Sequence, residues 1–324
     1  MIKHAERVIV SYPIAEPVIE FIRHNENMTF KVTDASSGRN YLLRIHWPRT
    51  AGLSGTQHTL EGLESEVFLL QELNRRKVIQ VQEPVANHAG GYVTAYRSEE
   101  FGSCFATVLE WFEGSVLTGN EENIGLIAYA LGETFAELHN ASSGRQLEGL
   151  TRPVYGAASI DSALEELKCG ITGGIYSQEQ YNTIAEVLDV VKEQLTELDS
   201  RQDSWGIIHA DVQSGNVIVK EATPHLIDFC LSGYGYYLFD VGSASSALKS
   251  ELRPAFLEGY SSRRDFTYDD IRYIEGQILM DVFISYAMFV RDPGSNGWIK
   301  EHAARVCGTL CKDFLEGKEV FHLL

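Results

Sequence analysis

Four side chains in one short stretch could do chemistry together. His209, Asp211, Asn216 and Asp228 lie in and around two short β-like segments within residues 205–240. Such an arrangement can bring one carboxylate to a substrate hydroxyl and two oxygen ligands to a divalent metal, which is the equipment of phosphoryl transfer.

The surrounding pattern says what must hold these residues. Residues 206–208, 216–219 and 225–227 read as short strands, embedded in a half of the chain whose periodicity is otherwise helical. The helix candidates there are 124–139, 160–167, 177–198, 269–290 and 297–314. The first third reads mainly as strands at 8–11, 28–33 and 41–46, with a hairpin turn at 34–38. From Leu60 a helical pattern places Leu63, Glu66, Val67, Leu70 and Leu73 near one face, and strands return at 92–96 and 104–111. Residues 112–114 then connect the two parts. The sequence therefore predicts an α+β fold with a small β-rich N-terminal lobe, residues 1–113, a large helical C-terminal lobe, residues 114–324, and a cleft at the hinge.

Composition narrows the class of partner. Acidic residues outnumber basic ones 45 to 27, and the resulting charge of -18 repels nucleic acid and anionic membranes. The one basic cluster, Arg75, Arg76 and Lys77, reads as a solvated helix end. A cationic small substrate would be attracted. The five cysteines include no CxxC pair and suit reduced thiols, with Cys307 and Cys311 one turn apart as helix packing. The apolar run 278–290 is broken by Asp281 and falls short of a membrane span, and the first residues carry Lys3, Glu6 and Arg7 instead of a signal-peptide core. A soluble cytoplasmic protein, monomer or homodimer, is expected.

The order of these features resembles the aminoglycoside phosphotransferase and choline kinase family, the small-molecule branch of the protein-kinase fold. The resemblance spans nearly the whole chain. It is most specific at Ile208-His209-Ala210-Asp211-Val212-Gln213-Ser214-Gly215-Asn216, followed by Leu226-Ile227-Asp228-Phe229, with Leu42-Leu43-Arg44-Ile45 upstream.

The resemblance implies a bilobal protein-kinase-like fold and roles for individual residues. Asp211 matches the catalytic aspartate, His209 a loop-bracing position, and Asp240 a buried acceptor of catalytic-loop amides. Asn216 and Asp228 match metal positions for Mg2+, whose octahedral shell phosphates and water would complete. Arg44 aligns with a phosphate-contacting cation, paired with Glu66, although Glu64 is close enough to compete. The turn Glu26-Asn27-Met28-Thr29 would cover the phosphates, and the base of ATP or GTP would meet the backbone near Glu110 and Trp111. Two departures stand out: Gln213 replaces a histidine common in relatives, and Cys230-Leu231 follows Phe229 where some branches carry acids.

The expected reaction is transfer of the nucleotide γ-phosphoryl group to a hydroxyl of a small molecule. Glu275 and Asp281 could recognise an amine on it, or could be solvated helix residues. A protein serine/threonine kinase or a nucleotide-binding regulatory pseudokinase are the alternatives.

Overall fold

The computed structural model describes residues 1–48, 55–142, 147, 149–294 and 296–324. The chain is α+β and divides into two compact units, residues 1–114 with 148–152, and residues 115–147 with 153–324.

Among the described residues, the first unit is an antiparallel sheet with two α-helices. Helix α1 (Ile2–Ile9) precedes β1 (Pro17–His24), β2 (Met28–Asp34) and β3 (Asn40–His46); α2 (Leu60–Arg76) follows, then β4 (Val93–Ser98) and β5 (Gly102–Glu110), in sheet order β1-β2-β3-β5-β4. Side chains alternate across β3, so Tyr41, Leu43 and Ile45 enter a core with Phe30, Val32, Ala106 and Val108. The Leu, Ile, Val and Phe side chains among them each contribute roughly 1.5–3 kcal/mol when fully buried. The alternate position Arg44 is also buried, on the other face.

Two expectations are corrected here. The run at 8–11, read as a strand, ends helix α1, because Ala5, Val8 and Ile9 at helical spacing bury one face in that core. The turn placed at 26–29 occupies residues 25–27, and Met28 and Thr29 already belong to β2, paired with Ile45 and Arg44. The basic cluster at the end of α2 is a helix terminus, with Arg75 and Arg76 both paired to Glu72.

The second unit begins with β6 (Ser115–Val116) and α3 (Ile124–Asn140), then β7 (Val154–Tyr155), α4 (Ala157–Thr172) and α5 (Gln178–Asp199). The short strands β8 (Trp205–Ile208), β9 (Val217–Lys220), β10 (Thr223–Leu226) and β11 (Gly233–Tyr236) follow, and form two three-stranded sheets, β10-β9-β6 and β7-β11-β8. Helices α6 (Tyr237–Ala247), α7 (Arg253–Ser261), α8 (Ile271–Phe289), α9 (Gly297–Arg305) and α10 (Cys311–Leu315) complete it. Residues 306–310, expected within one continuous helix, form a π-helical turn between α9 and α10. The core packs Ile184, Val187, Leu188 and Val191 of α5 with Leu279, Met280 and Phe283 of α8.

Helices α3 and α7 approach closely. A Cβ on Gly132 would lie 2.1 Å from the Phe256 carbonyl oxygen, and one on Gly259 would lie 1.9 Å from that of Tyr129, so both positions require glycine. That approach brings His139 of α3 beside Tyr260 of α7, Nδ1 to hydroxyl at 2.9 Å.

Candidate active site

The second unit gathers its polar residues through one hairpin and one helix start. Strands β9 and β10 pair from Val217 opposite Leu226 to Lys220 opposite Thr223, and the Ile227 amide donates to the Asn216 carbonyl at 3.0 Å. Closure of the hairpin therefore sets Asn216 beside Asp228. Asp228 itself has φ 65°, a left-handed backbone that few non-glycine residues adopt.

Asp211 faces the same place. Asn216 Nδ2 donates to the Asp211 carboxylate at 2.8 Å and to its carbonyl at 2.9 Å, and Gln213 Nε2 donates to the other carboxylate oxygen at 3.1 Å. Because its amide nitrogen is spent on Asp211, Asn216 presents Oδ1 as the atom able to meet a cation. One carboxylate oxygen from each of Asp211 and Asp228 and the Cys230 sulfur lie within 4.8 Å of one another. Two half-buried carboxylates, one of them held by the Asn216 amide, fit a divalent cation.

Supporting groups hold the loop. The carboxylate of Asp240, fully buried in the first turn of α6, accepts from the His209 amide at 2.7 Å and the Ala210 amide at 2.9 Å. Two charge-compensating donors and a position inside the helix distinguish it from a helix cap. His209 Nε2 donates to the Ile227 carbonyl at 3.0 Å, while Nδ1 accepts from the Asp211 amide at 3.3 Å. The imidazole thus ties the Asp211 loop to the segment carrying Asp228. Ala210, between them, also has a positive φ of 60°. Such strain persists only where neighbours enforce it.

His139 is a member of this cluster that sequence reading missed. Burial lowers its pKa and keeps the ring neutral, so Nε2 donates to Asp240 at 3.1 Å and Nδ1 accepts the Tyr260 hydroxyl. The available signal was a lone histidine at the end of an apolar helix pattern.

Asp281 of α8 accepts from Ser243 Oγ at 2.6 Å, and burial pushes its carboxyl up to about 6, with the Asp240 charge adding to the effect. Glu275 does something else. Its Oε1 accepts the backbone amides of Val320 at 2.5 Å and Phe321 at 2.7 Å, so the amine-recognising option for Glu275 gives way to a clamp on the segment after α10.

The first unit holds the remaining candidates. Arg44 donates to Glu66 at 2.9 Å, and both side chains are almost fully buried; Glu64 is exposed, so Glu66 is the partner. Asn27 is buried with its amide oxygen on His46 Nδ1 at 2.9 Å, and His58 Nε2 donates to the Glu26 carbonyl at 2.9 Å, which braces the turn. Burial and the Arg44 charge hold His46 well below the usual histidine range, so it is neutral and donates through Nδ1. Met28 packs in the core and Thr29 is buried on β2.

The backbone near Glu110 is already engaged. Its N–H donates to the Glu83 carbonyl at 2.8 Å, its carbonyl accepts Gln82 Nε2 at 3.0 Å, and its side chain pairs with Arg39. Trp111 donates its N–H to the Asn40 carbonyl, and Lys31 lies over its ring. A base edge at Glu110 would have to share these groups.

The family profile described as phosphotransferase enzyme family matches residues 18–274. The chain belongs to that family. This small-molecule phosphotransferase is 22% identical over 280 residues to amicoumacin kinase of Bacillus subtilis (strain 168), covering 79% of this chain and 76% of the relative. Its fold is protein-kinase-like and matches a microcompartment-associated aminopropanol kinase with a TM-score of 0.76 at 20% identity, covering 100% of this chain and 99% of the other. An amicoumacin kinase in complex with AMP-PNP, Ca2+ and Ami matches with a TM-score of 0.74 at 18% identity, over 98% of this chain and 95% of that one. The protein-kinase alternative gains no support from these relatives. Among the described residues of the phosphotransferase, no helix is long and apolar enough to cross a membrane.

Proposed function

We propose that the protein transfers the γ-phosphoryl group of ATP or GTP to a hydroxyl of a small, amine-bearing molecule, with residues 1–113 serving the nucleotide and 114–324 supplying catalysis and acceptor recognition. The convergence of Asp211, Asn216 and Asp228 carries this reading.

In the proposed reaction Asp211 orients the acceptor hydroxyl and takes its proton as the oxygen bonds to the γ-phosphorus and the bond to the β-phosphate breaks. Nucleoside diphosphate leaves, and no covalent enzyme intermediate is needed. Asn216 and Asp228 would hold a divalent cation such as Mg2+, which supplies charge compensation for the triphosphate. Arg44, fixed by Glu66, would meet phosphate oxygens through its guanidinium, and the braced turn of residues 25–27, which leads into Met28 and Thr29 of β2, would cover the phosphates. Glu110 and Trp111 remain the proposed neighbours of the base. His209 and Asp240 keep the Asp211 loop in place and are positioning residues.

Asp281 supports an amine on the acceptor, because a carboxyl beside Ser243 and one helix layer from Asp240 suits an ammonium partner. The net charge of -18 favours the same class. Aminopropanol, for which one structural neighbour is named, has that combination of amine and hydroxyl.

The test is a metal-dependent transfer screen over amino alcohols, aminoglycosides and homoserine with both nucleotides, identifying the product. Asp211→Asn should lower turnover by about 100-fold or more while nucleotide still binds. Asp228→Ala should also lose metal-nucleotide binding. Wild-type turnover in both variants would reject the reading.

A further inference from the structure

A sulfur atom stands in the cluster where the chemistry above asks only for oxygen. Cys230 lies two residues after Asp228, in a short 3-10 turn spanning Phe229–Leu231, and is buried. Its Sγ, one oxygen of Asp211 and one of Asp228 lie within 4.8 Å of one another, and among the described residues no other three histidine, cysteine or acidic side chains converge in this way.

The turn fixes that sulfur. Phe229 is buried against the His209 ring, with centroids 4.6 Å apart, and its carbonyl accepts both the Ser232 hydroxyl at 2.6 Å and the Ser232 amide at 3.1 Å. With Phe229 turned into the His209 packing and the turn closed by Ser232, the intervening Cys230 is held toward the carboxylates.

We propose that Cys230 sets the metal preference of this site, adding a soft sulfur donor to the oxygens of Asp228 and Asn216 so that thiophilic divalent ions such as Cd2+ and Zn2+ bind far better than Mg2+. The proposal rests on the reading of this cluster as the cation site. Hard Mg2+ gains nothing from sulfur, whereas soft thiolate selects Zn2+ and its heavier relative. On binding, the S–H bond breaks, a metal–sulfur bond forms, and the proton passes to the buffer. The site would therefore work with Mg2+ through its oxygens and be captured by a thiophilic ion through all of its donors.

The experiment titrates the full-length protein with Cd2+ alone and follows sulfur-to-cadmium charge-transfer absorbance, comparing wild type, Cys230→Ser and Asp228→Asn, with Mg2+ binding measured separately by calorimetry in the presence of AMP-PNP. The difference spectrum between wild type and Cys230→Ser removes any contribution of Cys307 and Cys311. The expected result is a clear difference band, present in wild type and missing from Cys230→Ser, with Cd2+ affinity weaker there by about 10-fold or more and Mg2+ affinity little changed. Asp228→Asn should weaken both ions. An unchanged band in Cys230→Ser overturns the Cys230 proposal, while loss of Mg2+ binding in Asp228→Asn in that same experiment would leave the cation site standing. A band that disappears in Cys230→Ser but is indifferent to Asp228→Asn would also overturn it, since the sulfur would then bind apart from the cluster. Unaltered Mg2+ binding in Asp228→Asn would instead count against the cation site itself.

Discussion

Asn216 gives its side-chain amide to the carboxylate of Asp211, Nδ2 to Oδ2 at 2.8 Å. One residue thereby aims the carboxylate and turns its own oxygen toward the proposed cation. Asn216→Ala removes both effects and should reduce kcat/KM by about 100-fold. Asn216→Asp keeps an oxygen ligand but sets a second carboxylate against Asp211. It should preserve metal-nucleotide binding while lowering kcat, and separate measurement of nucleotide affinity and turnover checks the split.

The buried pair Arg44–Glu66 makes a different prediction, about stability. Removing one partner strands a charge with little water, which costs about 3–5 kcal/mol, whereas replacing both by apolar residues of similar volume is much cheaper. Arg44→Met and Glu66→Leu should each lower the unfolding midpoint in urea more than the double variant does. All three should bind nucleotide poorly, because the arginine proposed to contact phosphate is either removed or loses the partner that fixes it.

Asp281 should make stability depend on pH. Its folded carboxyl titrates near 6, above the ordinary value of about 3.9, so the folded protein keeps the proton longer than the unfolded chain. The stabilising influence is complete below about pH 4, falls as pH rises towards 6, and is gone above that. Asp281→Asn removes the penalty, and its advantage should grow from nothing at pH 4 to roughly 2 kcal/mol at pH 7. Melting temperatures of both proteins across that interval are the check. The same variant should raise KM for an aminated acceptor without changing that for nucleotide.

The tip of the β9–β10 hairpin is strained. Glu221 and Ala222 have φ of 50° and 62° in a two-residue turn that favours asparagine and glycine. The pair Glu221→Asn and Ala222→Gly should add about 1–2 kcal/mol of stability, read from thermal melts, and leave turnover unaltered.

Residue pattern reached the site further than it reached the frame. The succession His209, Asp211, Asn216, Asp228 was legible because its spacing follows from a loop and a tight hairpin, both local. The helix α2 was legible too, since Leu63, Glu66, Val67, Leu70 and Leu73 are all buried on one face. Choosing Glu66 over Glu64 needed the tertiary contact with Arg44. Strand β1 went unseen because Val18, Phe21 and Ile22 are exposed on an edge strand, where no alternating burial marks the element. Helix α6 was hidden by Gly242 and the serines 243, 245 and 246, poor helix formers that tertiary packing overrides. The role of His139 depended on Asp240, a hundred residues away in the chain, and no local pattern encodes such a meeting.

The hairpin closed by Ile227 and Asn216 has a further consequence for how this protein could vary. The two positions proposed to ligate the cation are spaced by the base of the ribbon, so the number of residues along the arms and around the tip leaves their juxtaposition unchanged. Lengthening the arms by matched pairs, or enlarging the tip, would change the interval between 216 and 228 in sequence and nothing at the cluster. A search that demands a constant gap between those two positions would therefore overlook chains that carry the same cluster.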